Sequence, residues 1–285
     1  MELVLLSGLS GSGKSIALNV LEDASYYTVD NLPPEMIPLL MEHIQANHPK
    51  RAAIAVDMRS GEGISALPQV LSSLQSAGHR VRFIFLDARD NTLIARFSET
   101  RRRHPLCEED VSLEEAIAKE REALAPIAEL GHHMDTSDIQ PNTLRKWVKD
   151  FISIPPCAGL TLMFESFGFK YNIPLDADLV FDARCLPNPF YDTTLRPLTG
   201  QDAPVIAFLS SIPEVQEMEN DIQNFVAKWL PRYQRDNRSY LTIGIGCTGG
   251  QHRSVYLAER LGQYFSTHTQ TPVLIRHRNA SRRPD

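Results

Sequence analysis

Two stretches carry residue types whose spacing fits chemistry on phosphate. The first is GLSGSGKS, residues 8–15, which matches G-x4-G-K-[ST] in full. Gly8, Gly11 and Gly13 let the backbone wrap closely around an oxyanion. Leu9, Ser10 and Ser12 complete a turn whose successive N–H groups, with the N-terminus of a following helix, point at phosphates. Lys14 reaches the β- and γ-phosphates as a mobile point charge, and Ser15 offers its hydroxyl to Mg²⁺. The second stretch is GCTGGQHRS, residues 246–254. Here Cys247 stands six positions before Arg253, the C-x5-R-S spacing of cysteine phosphatases. Phosphatase loops place a histidine before the cysteine, whereas this chain has Gly246, and no general-acid loop is readable. The reading is therefore a loop that holds a phosphate without attacking it. Its candidate ligands are Cys247, Thr248, Gly249, Gly250, His252, Arg253 and Ser254, with a purely structural turn as the other reading.

A P-loop site also needs an acid at a strand end for the metal shell. Asp30, Asp57 and Asp87 each end a predicted strand. Asp57 follows AAIAV and precedes Met58, Arg59 and Ser60, so DMRS can face the nucleotide. Asp57 is the favoured acid, with Asp30 second; Asp87 serves equally well as a helix cap. Lys14 and Asp57 are then the candidate catalytic pair, and Ser15 and Asp57 the Mg²⁺ ligands. TRRRH, residues 100–104, is either a lid that neutralises phosphate or a solvated basic turn. Glu165, Ser166 and Lys170 lie at and just after a predicted strand end, a usual place for ligand contacts or for a capped turn. His132 and His133 are adjacent on a strand, so their side chains point to opposite faces and do not share a metal.

The elements that must position these residues follow from the apolar pattern. Strands are predicted at 2–7, 26–30, 52–57, 81–87 and 132–136, with helices at 14–23, 34–47, 64–77, 90–103, 112–130 and 141–152. Short apolar strands alternating with amphipathic helices imply a parallel sheet covered on both faces. Ser112 and Glu115 form a capping box. ISIPPCAG, residues 152–159, breaks the pattern, because Pro155 and Pro156 cannot lie inside a helix. The boundary falls there, dividing a P-loop nucleotide-binding domain over 1–153 from a second α/β domain over 158–285. The second domain has predicted strands at 160–165, 178–183, 241–246 and 273–277, helices at 214–230 and 253–267, and a loop-rich stretch over 186–204.

The 285 residues are 42% hydrophobic and 22% charged, the profile of an ordinary soluble protein with room for two domains. No apolar run approaches membrane-spanning length, and the start is not a signal peptide. Four cysteines without a C-x-x-C pair argue against a disulfide framework and a zinc knuckle, so the cytoplasm is the expected compartment. The net charge of −6 belongs to residues 1–157, with 16 Lys/Arg against 22 Asp/Glu; residues 158–285 balance at 13 and 13. The chain ends in a small basic tail, whose Arg276, Arg278, Arg282 and Arg283 are candidate contacts to an RNA backbone.

SGLSGSGKSIAL, VDNLPP, FLDARDNTLIARFSETRRRHPL, FESFGFKYNIPLDADLVFDARCLPNP, LRPLTGQD and NRSYLTIGIGCTGGQHRSVYLAERL occur in that order along nearly the whole chain. With these runs the sequence resembles the RapZ/YvcJ family, bacterial P-loop nucleotide-binding proteins that include an RNase adapter. The resemblance implies a kinase-like N-terminal domain that binds and slowly hydrolyses ATP and GTP with Mg²⁺. It implies a C-terminal domain related to the phosphofructokinase sheet. In some members that domain binds a small regulatory RNA, presents it to an endoribonuclease and senses glucosamine-6-phosphate, a hexosamine phosphate. The family's ATP loop falls on residues 8–15, its guanine-nucleotide segment on residues 57–60 and its aminosugar-phosphate site on residues 247–254. The expected assembly is a homo-oligomer. After LPNP this chain has Phe190 where the RNA-adapter members carry His, and Ser211 where they carry a cation; its tail is arginine-based and short. A regulatory NTPase and an RNA-binding adapter are the two functions weighed, with a small-molecule kinase third.

Overall fold

The computed structural model describes residues 1–46, 51–107, 110–153, 159–235 and 239–280, with the backbone alone at 46 and 59–62. The chain divides into two compact units, Met1–Pro156 and Cys157–Asp285. Most of the ISIPPCAG stretch lies outside the described residues.

In the first unit β1 (Glu2–Gly8) is buried along its whole length. That is the signature of a central parallel strand covered on both faces. Around it run β2 (Tyr27–Val29), β3 (Arg51–Ala55), β4 (Arg80–Asp87) and β5 (His132–Asp135), all parallel, in the order β2-β3-β1-β4-β5. Leu3 and Leu5 of β1 pack with Ile54, Phe83 and Phe85 of the neighbouring strands on one face of the sheet. The helices are α1 (Lys14–Asp23), α2 (Ile37–Ala46), α3 (Leu67–Ser76), α4 (Asp90–Thr100), α5 (Leu113–Ala128) and α6 (Pro141–Ser153). The chain leaves β1 towards β2 on one side and leaves β4 towards β5 on the other. The carboxyl end of β1 therefore opens at the switch point, where α/β sheets bind ligands.

The second unit is a four-stranded parallel sheet of β6 (Thr161–Gly168), β7 (Leu179–Asp182), β8 (Tyr240–Cys247) and β9 (Val273–His277), ordered β7-β8-β6-β9. Its helices are α7 (Ala203–Ser210), α8 (Pro213–Arg235) and α9 (Arg253–His268). Leu162 and Phe164 of β6 and Ile243 and Ile245 of β8 form the core with Val226 of α8 and Leu257, Leu261 and Phe265 of α9.

Ser112 and Glu115 form the predicted capping box, with Ser112 N–H donating to Glu115 Oε2 at 3.0 Å and Glu115 N–H to Ser112 Oγ at 3.2 Å. His132 stacks on Phe151 at 5.1 Å while His133 Nε2 lies 3.2 Å from Asp87 Oδ2, one ring on each face of the sheet. Four expectations are corrected. α4 ends at Thr100 and not at 103, because Arg101 adopts a left-handed conformation with φ 51°. α7 occupies a stretch whose beginning read as loop, its burial resting on Val205 and Leu209 one turn apart. α8 runs on through Pro231 to Arg235. β6 extends three residues further than expected, so Glu165 and Ser166 lie inside the strand with no exposed surface. Among the described residues no helix is long and apolar enough to cross a membrane.

Candidate functional site

β1 delivers the chain to the glycine-rich turn. At Gly8 φ is 138°, and a Cβ there would sit 2.0 Å from the carbonyl oxygen of Leu86 on β4, so the turn starts by grazing its neighbour strand. Gly13, with φ 109°, caps α1 without a side chain. Only glycine supplies these dihedrals without strain. Leu9 N–H donates to the Leu86 carbonyl oxygen at 3.1 Å and Ser12 N–H to the Leu9 carbonyl oxygen at 3.0 Å, so what the loop presents to the cleft lined by residues 10–16 is chiefly the N-terminus of α1. Lys14 Nζ donates to the carbonyl oxygens of Gly8 at 2.5 Å and Leu9 at 3.2 Å, folded over its own loop.

The loop is braced from three other elements. Arg96 of α4 donates to the Gly11 carbonyl oxygen at 2.9 Å, and to Thr136 through Oγ1 at 3.1 Å and its carbonyl at 2.6 Å. The Thr136 hydroxyl, just past β5, reaches the carbonyl oxygens of Ser12 at 2.8 Å and Asp87 at 2.9 Å. Glu120 of α5 accepts from the Ser10 amide at Oε2 and the Ser10 hydroxyl at Oε1, each at 2.8 Å. It also meets His104 Nε2 at 3.1 Å. Burial pushes the Glu120 carboxyl up, but the His104 bond, the Lys14 charge and the two Ser10 bonds outweigh it and hold the group below its ordinary value. None of these braces was read from the sequence. For Glu120 a signal existed, since it falls on the same face of α5 as the buried Ala116, Ile117, Leu124 and Ile127.

Asp57 follows β3, the strand beside β1, and is 3% exposed, yet it lines the same cleft as residues 10–16. Asp30, past the end of β2, lines it too. Asp87 does not; its Oδ1 accepts from Ala88 N–H at 2.7 Å and from Arg121 at 2.9 Å, a local capping and bracing role. Burial raises the Asp87 carboxyl, and the His133 hydrogen bond with Arg121 more than reverses this, leaving it below its ordinary value. Arg102 and Arg103 are exposed and line, with Pro105, the cleft that the glycine turn also lines. The cleft encloses about 780 Å³, within the usual range for small-molecule sites. Met58 opens a 3-10 turn, Met58–Ala66; the side chains of Arg59 and Ser60 lie outside the described residues.

These residues fit a Mg²⁺–nucleoside triphosphate. The buried Asp57 lines one cavity together with Lys14, the exposed Ser15 and the N-terminus of α1. Mg²⁺ is held with one or two carboxylates plus phosphates and water and needs no all-protein cage. Accordingly, no cluster of three or more His, Cys, Asp or Glu able to hold a metal occurs among the described residues.

A family model described as the RapZ-like N-terminal domain matches residues 1–154, and one described as the RapZ C-terminal domain matches residues 160–281. The chain belongs to the RapZ family. A protein of Azoarcus sp. strain BH72, named as a nucleotide-binding protein, is 65% identical over 99% of this chain and 96% of its own length. One of Nitrosomonas europaea with the same naming is 57% identical over 98% and 96%. The shikimate kinase structure from Bacteroides thetaiotaomicron aligns with 53% of this chain and 98% of its own at 11% identity and a TM-score of 0.37.

In this RapZ-family chain the second glycine turn links β8 to α9, but its side chains are mostly turned inward. Arg253 is 4% exposed. Its Nη1 donates to the carbonyl oxygens of Arg184 at 2.9 Å and Leu186 at 2.8 Å, and Nη2 reaches Thr248 Oγ1 at 3.4 Å. Arg253, expected among the phosphate ligands, spends these bonds on main-chain oxygens, because a buried guanidinium needs acceptors. Cys247 is buried with Sγ 3.1 Å from Ser254 Oγ. His252 lies 3.1 Å from the Leu195 carbonyl oxygen, and burial pushes its imidazole below the ordinary value. Gly250 is buried as well, so Thr248 and Gly249 are the members of the set that face outward. Phe190 lies under the Arg196 guanidinium at 4.7 Å, and the Ser211 hydroxyl donates to the Phe208 carbonyl oxygen at 2.8 Å.

The expected basic tail is also corrected. Arg276 sits on β9 at 2% exposure, opposite Glu165 in the β6 register. Arg278 is 7% exposed, with Nη1 3.5 Å from Glu165 Oε1 and 3.8 Å from Asp176 Oδ1. Both belong to the core of the sheet and not to a solvated tail. Arg282 and Arg283 lie outside the described residues.

Proposed function

We propose that the N-terminal unit binds ATP and GTP with Mg²⁺ and hydrolyses them slowly, in a regulatory role. One observation carries the reading. The glycine turn with Lys14 and the buried Asp57 open into one cleft from neighbouring parallel strands, with Arg102 and Arg103 also lining it. The amides of Gly13 and the first turn of α1 cradle the phosphates, Lys14 moves from its loop carbonyls to phosphate oxygens, and Ser15 and Asp57 hold the metal. Bound there, Mg²⁺ neutralises charge on the phosphates. Arg102 and Arg103 add positive charge as negative charge spreads in the transition state; being exposed, they act through high dielectric, which supports slow turnover.

Calorimetry of the full-length protein with Mg-ATP and Mg-GTP, repeated on Asp57→Asn, tests this. Binding of at least one triphosphate is expected, with the Mg²⁺ requirement weakened in the variant. Absence of heat from both nucleotides on folded wild-type protein overturns the reading.

The exposed Thr248 and half-buried Gly249, beside the N-terminus of α9, favour a second, smaller proposal: a phosphate ester such as a hexosamine phosphate docks at that turn. An RNA-adapter role is left to Arg282 and Arg283, since Arg276 and Arg278 are buried, and no described residue favours it.

A further inference from the structure

We infer that Glu120 is a positioning residue that holds the phosphate loop and the arginine segment in one register, so that loop binding and charge delivery by Arg102 and Arg103 are energetically coupled. The inference rests on the nucleotide site proposed above. Glu120 has no exposed surface, and three donors converge on it. Two come from Ser10, inside the glycine turn, and the third is His104 Nε2 at 3.1 Å. The His104 tautomer follows from its other nitrogen. Leu106 N–H donates to Nδ1 at 3.1 Å, so the ring proton sits on Nε2 and is given to Glu120. His104 is itself 2% exposed and packs against Phe97 of α4 at 5.2 Å. It directly follows Arg102 and Arg103, which line the cleft.

The chemistry of this latch is specific. The Ser10 amide is spent on Glu120, so it is turned away from the cleft, and the remaining loop amides are set by that choice. A glutamine can keep the shape. Its oxygen, at the Oε2 position, accepts from the Ser10 amide and His104, and its NH₂, at the Oε1 position, donates to a Ser10 hydroxyl that has turned round. An alanine leaves three donors, the fully buried His104 Nε2 and the two partly buried ones of Ser10, without that acceptor.

A double-mutant cycle on the full-length chain tests the coupling. Mg-ATP affinity is measured by calorimetry for the wild type, Glu120→Ala, Arg102→Ala/Arg103→Ala and the combination. Removing the arginines should weaken binding about tenfold in the wild type and less than about twofold with Glu120→Ala. Glu120→Gln should restore most of the arginine effect. A purely structural Glu120 lowers the melting temperature but leaves the arginine effect equal in both backgrounds, and that result overturns the proposal. Should Glu120→Ala fail to fold, His104→Ala decides, because it leaves the Ser10–Glu120 pair in place. It should cancel the arginine effect by itself, and a full tenfold effect in that background refutes the latch. No affinity of the wild type for Mg-ATP or Mg-GTP removes the nucleotide reading, and this one with it.

Discussion

Replacing Lys14 by methionine keeps the unbranched stem and removes the charge. In the structure Nζ is 2.5 Å from the Gly8 oxygen and 3.2 Å from the Leu9 oxygen. Binding a triphosphate exchanges these two neutral acceptors for anionic phosphate oxygens. Two hydrogen bonds to charged phosphate at about 1.5–3 kcal/mol each, less about 1 kcal/mol for each carbonyl bond surrendered, leave a net near 3 kcal/mol. That corresponds to roughly a 150-fold rise in Kd. The fold should tolerate the change, because Lys14 is only half-buried and its partners are loop carbonyls beside the open cleft. Calorimetry with Mg-ATP and Mg-GTP gives the affinity, and a melting curve checks the fold. A variant that melts like the wild type and binds both nucleotides within about threefold of it shows that the polyphosphate does not sit on this loop.

Two further outcomes are expected. Arg278→Ala removes a buried cation lying 3.5 Å from Glu165 and 3.8 Å from Asp176, which costs about 3–5 kcal/mol. The transition of the second unit should then fall by roughly 10 °C or more in a calorimetric scan; an unchanged transition means the pair is not buried as described. Glu120 and Asp87 are both held below their ordinary values. Such groups add stability that is complete above the unfolded carboxylate range, about pH 4, and is lost as pH falls through the lower folded values. The melting temperature should therefore drop on the acid side of about pH 4, and Asp87→Asn should flatten that drop; an identical acid limb in the variant rejects it.

Much of the site was legible because it is local. GLSGSGKS is a contiguous run between a mostly apolar strand and an amphipathic helix, and Asp57 is the first polar residue after AAIAV, so period and position alone put both at strand ends. α7 escaped because the Pro- and Gly-rich residues before it dominate the pattern, while its own buried signal is one pair, Val205 and Leu209. The buried charges escaped for a different reason. Leu274, Arg276 and Arg278 are the inward residues of an alternating run, and Glu120 sits on the apolar face of α5. In each case periodicity points inward while residue type points outward. Which prevails depends on a partner from elsewhere in the chain: Glu165 and Asp176 for Arg278, Ser10 and His104 for Glu120. A one-dimensional pattern does not contain that partner. The converse holds for Arg102 and Arg103. The left-handed turn at Arg101 takes them off the α4 face, so no periodic surface claims them, and their charge is left to the cleft and the solvent. Arginines that continue a strand's alternation should be counted with the core, and arginines stranded past a helix end with the ligand.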